Sequence, residues 1–175
     1  AIYERSRDWE QAADIARRMQ TSHQGDFSGR LAHYLCEQAH EQTSNAQLQA
    51  ATPLLLEAVR IAPQSPRPRL ELARVQHRLN QSQAAWQTLQ ELAQATPQSF
   101  PLAVPLMLEV AAATGQQEAA AQLLRSRYAQ APSLDLLDAL VALNVAPTTE
   151  PDSASRDWYV QHLGQEPSLV AATKW

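Results

Sequence analysis

The sequence predicts an all-α fold, a right-handed superhelical solenoid of stacked antiparallel helix pairs. Two observations carry that expectation. Closing prolines fall at Pro63, Pro97, Pro132 and Pro167, at spacings of 34, 35 and 35 residues. A small residue falls twelve positions before the first three of them, at Ala51, Ala85 and Ala120, with Leu55, Leu89 and Leu124 in the same register. Composition agrees: the chain is rich in Ala, Leu, Gln, Glu and Arg and holds only four glycines among 175 residues, which favours helix throughout.

A period near 34 with a small residue inside the second helix and a proline at the end is the tetratricopeptide pattern. One helix pair cannot bury its apolar stripe alone, so neighbouring pairs stack. The spacing divides the chain into a single array over 1–175, with a partial repeat at 1–26, repeats at about 28–63, 66–97, 100–132 and 133–167, and a partial helix at 168–175.

The elements follow in order. Residues 1–7 read as the tail of a preceding helix, and Trp9 and Ala12 open the second helix of a truncated repeat. Thr21 to Asp26 is a polar, Gly-containing loop. Helix 28–42 turns Leu31, Ala32, Leu35 and Ala39 inward, and Ser44-Asn45 turns the chain. Helix 46–61 is expected to pack through Ala50, Leu54, Ala58 and Ile61. Pro66-Arg67-Pro68 starts the next helix, where first-turn N–H groups lack intrahelical acceptors, and Leu70, Leu72, Ala73, Val75 and Leu79 give its apolar face. After Asn80-Gln81-Ser82, a helix packs through Ala85, Leu89 and Leu92 and ends at Pro97. Helix 100–114 contains Pro101 and Pro105. Pro105 implies a kink or a late true start, and Gly115 a left-handed stop. Helix 117–130 carries Ala120, Leu123, Leu124 and Tyr128, and Ser133 caps helix 134–144. A Pro/Thr/Ser/acidic loop at 145–155 and a helix at 155–165 lead to Pro167. Trp9, Ala12, Ala51, Ala85, Leu89 and Ala120 are packing residues in this reading.

The composition narrows the function. A net charge of −4 gives no sign of nucleic-acid binding. Cys36 is the single cysteine, so no intrachain disulfide forms. The longest uncharged run, Leu92 to Leu108, holds Pro97, Pro101 and Pro105 and cannot be a spanning helix. There is no Gly-rich phosphate loop, no Gly-x-Ser-x-Gly elbow and no His-Glu-x-x-His, so no enzyme is expected.

Two clusters could carry binding chemistry. His33, Cys36 and His40 share one face of a helix, where imidazole and thiolate together suit zinc. The alternative is a small buried thiol flanked by polar residues, and no metal site is assigned. The second cluster is basic. Positions 2, 5, 9 and 12 of each first helix would line a concave groove: His33, Cys36, His40 and Thr43, then Arg67, Leu70, Arg74 and His77, then Leu102, Pro105, Glu109 and Ala112. His33, Cys36, His40, Arg67, Leu70, Arg74 and His77 are therefore the candidate binding residues, suited to an acidic or carboxylate-bearing peptide. The alternative for the arginines is a solvated face paired along the helix with Glu71.

Several stretches carry a family resemblance: Ile2-Tyr3-Glu4, Asp8-Trp9-Glu10-Gln11-Ala12, Ile15-Ala16-Arg17-Arg18, Ala32-His33-Tyr34-Leu35-Cys36-Glu37-Gln38-Ala39, Pro132-Ser133 and Glu166-Pro167-Ser168-Leu169. They resemble the cytoplasmic repeat region of the lipopolysaccharide assembly protein B family. The resemblance implies a bacterial inner-membrane protein with an N-terminal anchor and a C-terminal rubredoxin-like zinc module, neither of which this chain covers. It reads as a soluble fragment at the cytoplasmic face, with no cofactor of its own and zinc only in the absent module. The family is a non-catalytic adaptor that promotes turnover of the lipid A pathway deacetylase by a membrane-bound FtsH-type protease, and so regulates lipopolysaccharide synthesis. Those two proteins are the implied partners, and an exposed solenoid end also admits a homo-oligomer. A generic repeat scaffold of another bacterial envelope complex, or a metal- or redox-sensing helical module using Cys36, is the alternative.

Overall fold

In the computed structural model, residues 7–21 and 26–143 are described. The expected loop 145–155, helix 155–165, closing Pro167, segment 168–175 and the Ile2-Tyr3-Glu4 stretch lie outside them. Within the described residues there are eight α-helices and no strand: α1 Trp9–Thr21, α2 Ser28–Ser44, α3 Leu48–Ile61, α4 Pro66–Arg78, α5 Ser82–Ala95, α6 Val104–Thr114, α7 Gln117–Gln130 and α8 Leu134–Ala142. The architecture is that of an all-α tetratricopeptide solenoid. Pro97–Ala103 forms a 3-10 segment before α6. Pro105 therefore stands in the first turn of a helix that starts late, where its missing N–H costs nothing.

The chain forms two compact units, Ala1–Phe100 and Pro101–Trp175. In unit 1 each helix packs on its sequence neighbour, and the first helices of consecutive pairs, α2 and α4, also touch. In unit 2 the same rule holds: α6 packs on α7, α7 on α8, and α6 on α8.

The small-residue register explains the close packing. Ala51, Ala85 and Ala120 are fully buried, and Leu55, Leu89 and Leu124 are buried with them. Ala12 is buried as well, and Trp9 packs half-buried against the core of unit 1 that holds Ala12, Ala51 and Leu55. A methyl group at these positions lets helix axes approach, while the leucine one turn later fills the volume between them. On α3 the stripe sits one residue away from the expected one for its first two members. Ala51, Leu55 and Ala58 are buried, whereas Ala50 is exposed and Leu54 and Ile61 are half-buried. Pro53 falls in the first two turns of α3 and marks its solvent side, as its exposure shows.

The turns inside the helix pairs repeat more faithfully than the side chains do. Ala46, Asn80 and Gly115 all adopt the left-handed conformation, at φ 59°, 60° and 69°. Behind each, the next residue's N–H reaches back to the ending helix: Gln47 to the Gln42 carbonyl at 2.8 Å, Gln81 to Gln76 at 2.9 Å and Gln116 to Ala111 at 2.9 Å. Each is the long bond of a Schellman stop, which satisfies a helix-end carbonyl that would otherwise lack a donor. At the start of α8, Ser133 Oγ accepts from the Leu136 N–H at 3.4 Å, the cap that the sequence predicts.

Candidate functional site

The face shared by α2 and α4 in unit 1 gathers most of the candidate residues. Pro66 and Pro68 fix the first turn of α4 and thereby place Arg67 opposite the middle of α2. Arg67 lies at the centre of a polar network. Its Nη2 donates to Glu37 Oε1 at 2.7 Å, and its Nε to Glu71 Oε1 at 2.6 Å. Its Nη1 stands 3.1 Å from His33 Nδ1, which then serves as acceptor. The His33 ring in turn packs against Trp9 of α1, edge to face at 6.0 Å between centroids, and against Tyr34 at 5.8 Å. One connected set of side chains therefore ties α1, α2 and α4.

The electrostatics follow from that geometry. Partial burial opposes charge on Glu37, but the Arg67 hydrogen bond and charge outweigh it and hold the carboxyl below its usual range. Arg67 loses some hydration, yet its bonds to Glu71 and Glu37 keep the guanidinium more firmly protonated than in water.

Glu37 is the residue that helix-position counting missed, and Glu71 entered only as a pairing partner along the helix. Each stands beside a candidate position, and Arg67 four residues before Glu71 was the available signal. Their presence changes the chemistry of the face. The charge of Arg67 is already matched, so the cations offered to solvent are Arg74 and Arg78, both exposed and, among the described residues, in no ion pair. His40 is exposed on α2. Leu70 is half-buried, and His77 is half-buried with its Nδ1 3.0 Å from Ser82 Oγ.

Cys36 does not line this face. It is 1% exposed and belongs to the core with Leu35, Ala39, Leu55 and Leu72. The covering of α2 explains the difference: Leu31, Ala32, Tyr34, Leu35, Cys36 and Ala39 are all buried, because α2 is covered by α1, α3 and α4 together. Burial, with the nearby Glu71 and Glu37 carboxylates adding to it and Arg67 opposing, pushes the thiol up to about 12. His33 and His40 are exposed, so the three side chains do not converge, and among the described residues no group of three or more His, Cys, Asp or Glu is placed to hold a metal ion.

A second polar link lies between α1 and α3. Arg17 grips Glu57 through two parallel bonds, Nε to Oε1 at 3.0 Å and Nη2 to Oε2 at 2.9 Å, and pairs with Asp14 on its own helix at 2.9 Å. Arg69 occupies the repeat position held by Leu35 and Val104 in the neighbouring repeats. It is buried, and its Nη1 donates to the Pro63 carbonyl, fastening the loop between α3 and α4.

Among the described residues no helix is long and apolar enough to cross a membrane. Comparison with curated proteins finds no match. A sequence model of the tetratricopeptide repeat matches residues 42–107, from the end of α2 to the first turn of α6. Residues 42–107 thus match tetratricopeptide repeats, a fold that generally serves as a protein–protein interaction scaffold.

Proposed function

We propose that the chain is a non-catalytic adaptor that holds a partner's acidic segment on the α2–α4 face of unit 1. The observation that carries this reading is Arg74, exposed beside half-buried Leu70 on a face whose other central cation, Arg67, is occupied within the fold. An exposed guanidinium next to an apolar side chain suits a carboxylate flanked by an apolar residue. The network of Arg67, Glu37, Glu71 and His33 holds the face rigid, which lowers the ordering cost of binding.

The proposed partners are the lipid A pathway deacetylase and the cytoplasmic part of an FtsH-type protease, at the cytoplasmic face of a bacterial inner membrane. That assignment rests on the sequence resemblance carried by Ala32-His33-Tyr34-Leu35-Cys36-Glu37-Gln38-Ala39 and the shorter stretches around it. Reading 1–175 as one array rests on the proline period, and the proposal needs no cofactor in this chain. A metal or redox role for Cys36 is not favoured, because a thiol buried among apolar side chains is the wrong form for a ligand or nucleophile.

The test is calorimetric titration of the chain with each protein at two salt concentrations. Arg74→Glu is the informative variant, since Arg67→Glu would place a third carboxylate beside Glu37 and Glu71 and disturb the fold. Salt-sensitive binding that Arg74→Glu abolishes at unchanged helicity supports the α2–α4 face. Binding that ignores Arg74→Glu moves the contact elsewhere, and absence of binding to both proteins removes the proposed pathway.

A further inference from the structure

We propose that the seam between α6 and α8 in unit 2 is a second recognition site, for a partner segment that places an aliphatic side chain beside a lysine or arginine. This proposal stands on unit 2 alone and does not depend on the partners named for unit 1.

The seam holds an open crevice of about 280 Å³ whose walls include Pro101, Pro105 and Leu108 on one side and Asp135, Ala139 and Ala142 on the other. Its floor is apolar: Val104 and Ala139 are buried and Leu108 is half-buried. The two helices touch there with alanines on one side and prolines on the other, so the small side chains leave room for one aliphatic side chain. Leu102, next to Pro101, is 70% exposed and extends the apolar surface beyond the crevice.

Charge selects the occupant. Pro97–Thr114 and Leu134–Ala142 contain Glu109, Asp135 and Asp138 and no Lys, Arg or His. Asp135 and Glu109 are exposed. Asp135 lies one helical turn before Ala139 on the crevice wall, roughly 6 Å along the axis. An aliphatic side chain seated against Ala139 and Leu108 therefore carries a neighbouring cation to Asp135. Among the described residues of α6 and α8 an acidic segment would meet carboxylates and no cation, so this surface has the opposite preference to the α2–α4 face.

The test uses the whole 175-residue chain and two fluorescein-labelled, end-capped peptides, one alternating leucine with lysine and one alternating leucine with glutamate. Fluorescence anisotropy is expected to show binding of the lysine peptide alone, weakening with salt. Asp135→Lys should weaken it about five- to tenfold, as expected for reversing one partly screened charge. Ala142→Trp, which fills the crevice from an exposed position without changing charge, should weaken it comparably, and Glu91→Lys, at an exposed position on α5 of unit 1, should leave it unchanged. Helicity and melting temperature of each variant report that it is folded. Equal binding of both peptides, no binding of the lysine peptide, or binding unaffected by both Asp135→Lys and Ala142→Trp would overturn the proposal. So would self-association of the chain that Ala142→Trp abolishes, because a second copy would then be the occupant.

Discussion

Arg67 and Glu37 form an ion pair of 2.7 Å between first helices of consecutive repeats, 30 residues apart in sequence. The pair is only partly shielded, with the arginine side chain 42% and the glutamate side chain 24% exposed. Its free energy is therefore bounded by that of exposed pairs, about 0.5–1 kcal/mol. A double-mutant cycle of Arg67→Ala and Glu37→Ala, read by urea unfolding, should give a coupling in that range. A coupling of zero would mean that the geometry contributes to register without contributing to stability.

The same pair sets a pH dependence. The folded Glu37 carboxyl titrates below its unfolded value, so its contribution is fully present above the ordinary glutamate pKa of about 4.3 and fades as pH falls through the lower folded value. The parent chain should exceed Glu37→Gln in stability at neutral pH, and the difference should close below about pH 4. Melting curves of both proteins from neutral pH into acid test this. A gap that stays constant across the range would assign the effect of the substitution to packing.

The left-handed turns make a third prediction, free of electrostatics. Ala46 adopts φ 59° at an exposed position, a conformation that costs a residue bearing a Cβ about 1 kcal/mol or more. Ala46→Gly relieves that cost but loosens the unfolded chain, so a net gain of roughly 0.5 kcal/mol is expected. Gly115→Ala should do the reverse, at about 1 kcal/mol, and by backbone strain alone, because an added Cβ there meets no atom within 4 Å. Chemical denaturation midpoints of the two single variants should move in opposite directions. A shift of the same sign in both would disprove a common turn geometry.

These turns also show what the sequence could and could not convey. The period was legible because its markers are chemically restricted: proline at a pair's end, and alanine where two helix axes close. Gly115 announced its own turn. Asn80 marked a break, since asparagine tolerates the left-handed region, but Ala46 gave no sign, because nothing in an alanine side chain signals that backbone and the conformation is imposed by the helices on either side. The α2–α4 face was partly legible for a similar reason. Counting helix positions placed His33, Arg67 and Arg74 together, because exposed positions follow from the helix period. Cys36 fell on the wrong side of that count because its burial depends on three neighbouring helices. Glu37 was missed because its role comes from a cation that tertiary packing delivers, whereas Glu71, four residues after Arg67 on α4, was legible as a pairing partner along the helix.

Cys36 yields the last prediction. Its thiol is 1% exposed and pushed up to about 12 by burial, so almost no thiolate exists near neutral pH and little of it meets solvent. The folded chain should therefore react with a thiol-specific disulfide reagent far more slowly than the urea-unfolded chain, in which the thiol regains an ordinary pKa of about 8.5. Raising pH through 8 and 9 should accelerate labelling of the unfolded chain and leave the native chain slow, limited by transient opening of the α1–α4 packing. Cys36→Ser should lower stability by about 1–3 kcal/mol, because a hydroxyl loses hydration in a site built for a weak hydrogen-bonding group. Cys36→Ala, which removes the thiol without adding a polar atom, should cost less than Cys36→Ser. Rapid native labelling, or a serine variant as stable as the parent, would show that the α2 core opens to solvent at Cys36 and would return that residue to the α2–α4 face.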